Sequence, residues 1–551
     1  MTRSAMSEAR APALPLAERR RVLAAWVSLI LAFGIVAGQL ARLAMLDKPA
    51  ILTASLKAVG QSLSRPDIVD RNGRLLATDI SAPSIFADPS AILDLDETVE
   101  SLAGVLEGID ARRLRKELAD RTKQFVWIKR ALHPNAARVV HELGLPGIYQ
   151  RDELHRVYPA AEITGQVLGY TDVDNRGQAG VERTIDQKGL AELADLALTA
   201  SRPPVALSLD LSVQLGLSEV LGEAMTAYQA SGAAGIVLDV ATGEVLAQTS
   251  LPDYPAGDAK AAQDKAHIDR IANGTYELGS VFKTLTLAMA FDAGTATPDK
   301  QYDATRPLKV GRYEIDDLHP QRRWLSAEEV LLYSSNVGAA QMAIEVGDRA
   351  EQAFLKRLGL LDPLSTELGP TPAPQVPKPW SKASTMTISF GHGLAVTPLQ
   401  FAAAVASVVN GGTRIVPTYL QQERKPGPQV LLRKETATEL RGLLRKNVVD
   451  KRGTGSRAAV AGYAVGGKTG TADIAGRGGY GSSGVLTSFL AVFPAAKPRY
   501  LTYVMLFEPK ATEATLGQRT AGANAAPTTA KLIERIAPLL GLKPEYQDGG
   551  T

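Results

Sequence analysis

One uncharged apolar segment near the N-terminus constrains this chain more than any other feature. Residues 22–40 read VLAAWVSLILAFGIVAGQL, and only Ser28 and Gln39 among them are polar. As a helix, about 19 residues at about 1.5 Å each match the hydrocarbon thickness of a bilayer. Three arginines at residues 19–21 precede the segment. This charge predicts a cytoplasmic N-terminal tail and a single span, with the remaining chain outside the inner membrane.

The alternative interpretation of this segment is a cleaved signal peptide. The apolar core of a signal peptide normally has about 7–15 residues and ends in small residues at the cleavage site. The segment here is longer, and it ends in Gln39-Leu40-Ala41-Arg42, which is a poor cleavage site. The pattern therefore favours an anchor, with a cytoplasmic tail over residues 1–21 and a transmembrane helix over residues 22–40.

The composition limits the chemistry that the chain can perform. Its 551 residues include 61 Lys and Arg against 58 Asp and Glu, a net charge of +3 that gives no basic field for nucleic acid. Cysteine is absent, which excludes disulfides, thiolate metal sites and a thiol nucleophile. The six histidines show no paired ligand spacing, so no metal site is expected.

The first part of the chain beyond the apolar segment predicts a domain without catalytic residues. Residues 45–203 combine many charges with short apolar runs, and Asn72-Gly73 predicts a hairpin. No nucleophile, carboxylate pair or phosphate loop stands out there. We therefore predict a non-catalytic pedestal domain, and Arg202-Pro203-Pro204 marks a plausible boundary after it.

The second part predicts a compact α+β domain over residues 205–542, followed by a tail over residues 543–551. Strand patterns occur near both ends of this domain, for example in residues 235–240 and 486–493, and helical patterns fill the middle. We expect one antiparallel sheet that is assembled from both ends and covered by helices.

The first chemical motif is Ser280-Val281-Phe282-Lys283. A nearly all-apolar run follows Ser280 and ends near Gly294, which predicts a buried helix with a glycine stop. Lys283 then lies one turn after Ser280 on the same face. Burial at a helix N-terminus disfavours the charged amine, and a neutral amine can activate a hydroxyl. The competing interpretation, a serine N-cap followed by a solvated lysine, is disfavoured by the apolar surroundings.

The second motif is Ser334-Ser335-Asn336. A capping box at Ser326 predicts a short helix before it, and another helix begins near Val337. Ser334 and Asn336 are thus expected on the turn between two helices, where a hydroxyl can relay a proton and an amide can hold a peptide carbonyl. Taken alone, the triplet also fits an ordinary polar helix junction.

The third motif is Gly466-Gly467-Lys468-Thr469-Gly470-Thr471, after a strand-like Tyr463–Val465. A P-loop is excluded because the spacing is wrong and no helix follows. An edge strand fits better. In that interpretation Gly470 lets a substrate backbone pair alongside, while the lysine and the two threonines offer a positive charge and hydroxyls to a carboxylate.

In this order, the three motifs resemble the Ser-x-x-Lys, Ser-x-Asn and Lys-Thr-Gly signature of penicillin-binding proteins and serine β-lactamases. The intervals between the motifs are similar to those of the monofunctional class B penicillin-binding proteins. Two further segments also resemble conserved segments of that class, namely Asp70-Arg71-Asn72-Gly73 after Arg65, and Phe390-Gly391-His392-Gly393. The likeness covers about residues 20–540 and is strongest to the division-type peptidoglycan D,D-transpeptidases, the FtsI family. Two departures are Pro66, where glycine is usual, and Leu278, where proline is common.

The resemblance implies a penicillin-binding, serine β-lactamase-like domain that cross-links peptidoglycan through an acyl-serine. In such an enzyme Ser280 attacks the bond between the two terminal D-alanines of a stem peptide and Lys283 takes its proton. No cofactor or metal is implied. β-Lactams are expected to acylate the same serine, and membrane proteins of the division machinery, including a glycan polymerase, are the implied partners. The implied roles of the other residues are proton relay by Ser334 and Lys468, an oxyanion hole from the N–H groups of Ser280 and Thr471, donor-peptide binding by Asn336, and carboxylate binding along Thr469, Gly470 and Thr471.

Three alternatives stay open within this superfamily. An elongation-type class B transpeptidase is the nearest. A β-lactamase needs a group that activates water for deacylation, and no Glu-x-x-Leu-Asn-type segment lies between Asn336 and Lys468; β-lactamases also normally lack an anchor and a pedestal. A penicilloyl-binding sensor keeps the fold and loses turnover.

Overall fold

The structure is a computed structural model. It describes residues 16–45, 64–189, 203–311, 313–422, 427, 429–474 and 484–545, so the outer parts of both predicted tails lie outside the described residues. The chain divides into two compact units, one of residues 1–63 with 188–202 and one of residues 64–187 with 203–551.

The described part of the first unit contains the long helix α1 (Leu16–Met45). This helix includes the whole predicted span over residues 22–40 and begins within the predicted tail. Apolar side chains along it are well exposed, among them Trp26 at 61% and Phe33 at 68%. Across the described ranges, no helix meets the joint requirements of length and apolarity for crossing a membrane.

The second unit starts with a five-stranded sheet in the order β3-β2-β1-β5, in which β4 also pairs with β2. The predicted hairpin joins β1 and β2, and Gly73 takes the left-handed conformation that its turn requires, with φ of +81°. The elements of this region are β1 (Ile68–Val69), β2 (Leu75–Ala87), α2 (Leu95–Val105), α3 (Ala111–Leu118), β3 (Val126–Lys129), α4 (Pro134–Glu142), β4 (Ile148–Val157), α5 (Ala161–Leu168), α6 (Gly180–Thr184) and β5 (Val205–Ala206).

The buried side chains of this first region belong to two separate apolar cores. Helices α2, α3 and α4 pack on β2 and β3 around buried residues such as Val99 and Leu114. The hairpin and helices α5 and α6 instead contribute Ile68, Val167 and Val181 to the main core of the following region. The pedestal region is therefore joined to the rest of the second unit by shared apolar packing.

A buried ion cluster also fixes the pedestal region. Arg65 Nη2 lies 2.6 Å and Arg156 Nε lies 2.7 Å from opposite carboxylate oxygens of Glu182. Arg156 also pairs with Asp79, and the four side chains are at most 2% exposed. Charges that are this deeply buried are stable only while they remain paired.

We expect Glu182→Ala to lower the free energy of unfolding by about 3–5 kcal/mol, because two buried guanidinium groups lose their shared carboxylate. Urea unfolding of the full chain measures this change. The control is Glu117→Ala, which breaks the exposed pair of Arg113 with Glu117 and is expected to have no measurable effect. Equal losses in the two variants would contradict the assignment.

The remaining residues form the predicted α+β domain around an antiparallel sheet in the order β14-β15-β16-β6-β7. Strands from both ends of the domain thus meet in one sheet, as predicted. Its elements are α7 (Leu211–Ala227), β6 (Gly232–Asp239), β7 (Val245–Leu251), α8 (Lys283–Asp292), β8 (Gln301–Asp303), β9 (Leu308–Val310), β10 (Tyr313–Ile315), β11 (Trp324–Ser326), α9 (Ala327–Leu332), α10 (Asn336–Val346), α11 (Asp348–Arg357), β12 (Ser365–Thr366), β13 (Gly369–Pro370), α12 (Lys382–Ile388), α13 (Pro398–Val409), α14 (Lys434–Val449), β14 (Gly466–Asp473), β15 (Val485–Phe493), β16 (Tyr500–Phe507) and α15 (Ala525–Leu539).

Helices cover both faces of this sheet. Helices α7 and α15 pack on one face, where Leu217 and Ile533 meet Val504 of β16. Helices α8 and α13 pack on the other face with Met505 of β16 and Leu490 of β15. Alternate residues of each strand therefore enter two different cores, and the sheet holds β14 at its edge in front of α8.

Candidate active site

Ser280 lies on a single 3₁₀ turn, Gly279–Phe282, that runs directly into α8. Gly279 has φ of +62°, and a Cβ at this position would lie 2.4 Å from the carbonyl oxygen of Thr471. Gly391 approaches from the other side, where a Cβ would lie 2.1 Å from the carbonyl oxygen of Gly279. Only glycine fits such close backbone contacts, and the two glycines allow the serine turn to press against β14.

Lys283 is the first residue of α8, and none of its surface is exposed. Its Nζ lies 2.8 Å from Ser280 Oγ, 2.8 Å from the carbonyl oxygen of Ser334 and 2.7 Å from Asn336 Oδ1. Burial lowers the pKa of Lys283 to about 7, although the negative charge of Asp317 acts in the opposite direction. The sequence argument for a buried amine beside Ser280 is thus matched by the geometry.

The partners of Lys283 are compatible with a neutral amine that faces the serine. A carbonyl oxygen and an amide oxygen can only accept hydrogen bonds. In the neutral form, the two N–H groups of Lys283 donate to Ser334 O and Asn336 Oδ1, and the lone pair is left toward Ser280 Oγ at 2.8 Å. In that arrangement the serine hydroxyl donates to the amine, as activation by a base requires.

Ser334 lies between α9 and α10 and places its hydroxyl between two lysines. Its φ of +59° is in the left-handed region, which a residue with a Cβ rarely adopts. Ser334 Oγ lies 3.2 Å from Lys283 Nζ and 3.0 Å from Lys468 Nζ. The predicted capping box at Ser326 is present and starts α9. The strained turn therefore presents one hydroxyl to both amines.

Lys468 approaches the same hydroxyl from β14. It is fully buried, and its Nζ also donates to the carbonyl oxygen of Thr469 at 3.1 Å and to Thr469 Oγ1 at 3.2 Å. Burial holds the pKa of Lys468 well below its usual value, and the charge of Lys283 lowers it further. Two amines and two serine hydroxyls thus form one connected chain of hydrogen bonds.

Strand β14 lies at the edge of the sheet and pairs with β15, with Gly470 opposite Ser488. Thr469 is nearly buried and Thr471 is exposed. A Cβ on Gly470 would lie 2.9 Å from the carbonyl oxygen of Leu278. Glycine is therefore required here by the approach of the serine turn, a reason that the sequence alone did not provide.

The structure also adds residues that the sequence did not single out. Asp317 bonds to the turn that carries Ser334 and Asn336, and Thr454 accepts a hydrogen bond of 2.8 Å from Thr469 Oγ1. Neither lies in a recognisable motif. The strand predicted over Tyr463–Val465 is wrong, because β14 begins only at Gly466. In the described ranges, no cluster of three or more His, Cys, Asp or Glu side chains is arranged to hold a metal ion.

Comparisons with known proteins agree with this geometry. Residues 233–534 match the family described as "Penicillin binding protein transpeptidase domain", and residues 61–189 match "Penicillin-binding Protein dimerisation domain". A probable peptidoglycan D,D-transpeptidase FtsI from Caulobacter vibrioides is 36% identical over 88% of this chain and 83% of its own. The probable peptidoglycan D,D-transpeptidase PenA of Neisseria meningitidis is 29% identical over 90% and 87%. The peptidoglycan D,D-transpeptidase FtsI of Escherichia coli is 28% identical over 94% and 91%.

Proposed function

This chain belongs to the penicillin-binding protein transpeptidase family as a class B peptidoglycan D,D-transpeptidase with a dimerisation domain, and we propose that Ser280 is its acylating nucleophile in septal wall synthesis. Peptide substrates and β-lactam binding follow from the transpeptidase domain. The observation that carries the residue assignment is the 2.8 Å contact between Ser280 Oγ and the fully buried Lys283 Nζ.

The proposed acylation begins with proton transfer from Ser280 Oγ to Lys283 Nζ. The Oγ forms a bond with the carbonyl carbon between the two terminal D-alanines, and the carbonyl oxygen becomes an oxyanion. The carbon–nitrogen bond then breaks. The departing D-alanine amine receives a proton through Ser334 Oγ, which contacts both Lys283 and Lys468. An amine of a neighbouring strand next attacks the ester and restores Ser280.

Substrate binding is assigned to the residues around this chain of hydrogen bonds. Asn336, whose Oδ1 contacts Lys283, holds the donor peptide. The N–H groups of Ser280 and Thr471 stabilise the oxyanion. Thr469 and Thr471 bind the terminal carboxylate, and Gly470 leaves room beside them. This arrangement predicts a preference for a peptide that ends in a free carboxylate.

The cellular setting is proposed from the sequence. The apolar residues 22–40 anchor the chain in the inner membrane, with the tail over residues 1–21 in the cytoplasm and the rest in the periplasm. The proposed domains are a non-catalytic pedestal over residues 45–203 and a transpeptidase domain over residues 205–542, followed by a tail over residues 543–551. Membrane proteins of the division machinery, including a glycan polymerase, are the proposed partners.

The septal role is tested by depletion of this protein in its own bacterium. Its likeness to FtsI proteins over most of the chain supports the role. We expect long filaments, because wall growth along the side continues while septa fail to form. Expression of the wild-type chain should restore division, and the Ser280→Ala chain should not. Round cells would contradict the septal role and would indicate the elongation-type relative.

A further inference from the structure

Asp317 is a carboxylate that bonds to the turn after Ser334, and it comes from a loop outside all three motifs. It lies two residues after β10, whose Ile315 is buried together with Ala340 of α10 and Met386. This packing holds the loop against the start of α10. The side chain of Asp317 is half-buried there, beside the turn that positions Ser334 and Asn336.

The hydrogen bonds of the Asp317 side chain go to the start of α10. Its Oδ1 accepts hydrogen bonds from the N–H groups of Asn336 at 2.6 Å and Val337 at 3.0 Å, and its Oδ2 accepts one from Ser335 Oγ at 2.7 Å. Ser335 Oγ in turn accepts from the N–H of Gly338 at 3.0 Å. The first N–H groups of a helix have no partner within the helix, and here two side chains from different segments satisfy three of them.

We infer that Asp317 is a positioning residue for acylation: it fixes the turn Ser334–Asn336 against Lys283 and supplies a negative charge beside that lysine. The inference rests on the proposed roles of Ser280 and Lys283. Two contacts of Lys283 depend directly on this turn, namely those to the carbonyl oxygen of Ser334 and to Asn336 Oδ1. Movement of the turn would therefore move the base away from its serine.

The charge of Asp317 has a second effect that packing alone does not have. It raises the pKa of Lys283 against the larger effect of burial. Lys468 is a second titratable group beside Lys283, and it faces Ser334 from β14. Asp317 thus limits how far burial lowers the pKa of the base, which sets the pH above which Lys283 is neutral.

Three variants separate the position from the charge. Asp317→Asn keeps an acceptor for the N–H groups of α10 and removes the charge. Asp317→Ala removes both. Asp316→Asn removes a neighbouring charge that pairs with Arg322 at the surface and keeps an oxygen that can accept from the N–H of Asp317, so it is the matched control. The rate constant for acylation of the full chain by a fluorescent penicillin is measured for each from acidic to mildly alkaline pH, and thermal unfolding verifies the fold.

We expect Asp317→Ala to lower the acylation rate at every pH by about 100-fold, as displacement of a catalytic group by about 1 Å can do. Asp317→Asn should retain more of the maximal rate, and the pH at which the rate is half-maximal should fall by about 0.5 unit or more, because the pKa of Lys283 decreases. Asp316→Asn should change neither value. A purely structural role would lower the rate without moving the pH profile.

Several results would overturn the inference. The first is an unchanged rate and profile in Asp317→Asn; the second is an equal shift in Asp316→Asn. If Asp317→Asn does not fold, Asp317→Glu is measured instead, because it retains the charge at a changed distance. A wild-type acylation rate in Asp317→Glu would show that the exact position of the carboxylate is unimportant. Labelling of Ser280→Ala would instead refute the proposed nucleophile, so the two failures are distinguishable.

Discussion

Replacement of Ser280 by alanine is expected to reduce covalent labelling of the full chain by a fluorescent penicillin to background. The Oγ of Ser280 is the atom that the proposed mechanism joins to the carbonyl carbon, and alanine has no atom that can form this ester. The lysine, the Ser334 hydroxyl and the edge strand remain in place. Most changes to a catalytic group slow the reaction, but this change removes the atom that forms the covalent bond. A long incubation should therefore not recover the signal.

The control must distinguish loss of the nucleophile from loss of the fold. Ser90→Ala is the same substitution at an exposed serine whose hydroxyl bonds within its own turn, to Asp88, and it is expected to label like the wild type. Both variants should unfold at the wild-type temperature, because Ser280 is only partly buried and its hydroxyl bonds to Lys283 alone among described partners. Persistent labelling of Ser280→Ala would refute the assignment.

Much of the fold follows from local sequence patterns. The strands predicted at both ends of the catalytic domain are apolar and must be buried. In the structure they form one sheet, with β14 at its edge. The apolar run after Ser280 has no polar face, so its helix had to be buried, and Lys283 with it. Where a pattern extends over a full element, its burial can be predicted without the tertiary structure.

Short segments and single side chains could not be predicted in this way. Tyr463–Val465 has the side chains of a strand, but Gly462 takes φ of +78° just before it and the chain turns there. Asp316 and Asp317 are adjacent aspartates in one loop, and no local feature says which of them faces α10. The structure directs Asp317 to the helix and Asp316 to Arg322, a distinction that only the packing of β10 against α10 produces.

Replacement of Lys283 by methionine is expected to lower the acylation rate by about 10²–10⁴-fold, the usual contribution of a general base. Methionine has a similar length and no group that can accept a proton. In the wild type, the pKa of Lys283 is lowered to about 7, so the fraction of neutral amine rises as the pH increases through that value. The acylation rate should therefore rise with pH, level off above about 8, and lose this rise in Lys283→Met.

The matched control is Lys300→Met, the same substitution at a lysine near the surface that pairs with Glu345. It should retain both the maximal rate and the rise of the rate with pH. Single-turnover labelling under excess penicillin separates acylation from any change in deacylation. If Lys283→Met reacted within an order of magnitude of the wild-type rate, or kept the same rise, another group would have to accept the serine proton. Lys468 would then be the candidate, because its Nζ lies on the other side of Ser334 Oγ at 3.0 Å.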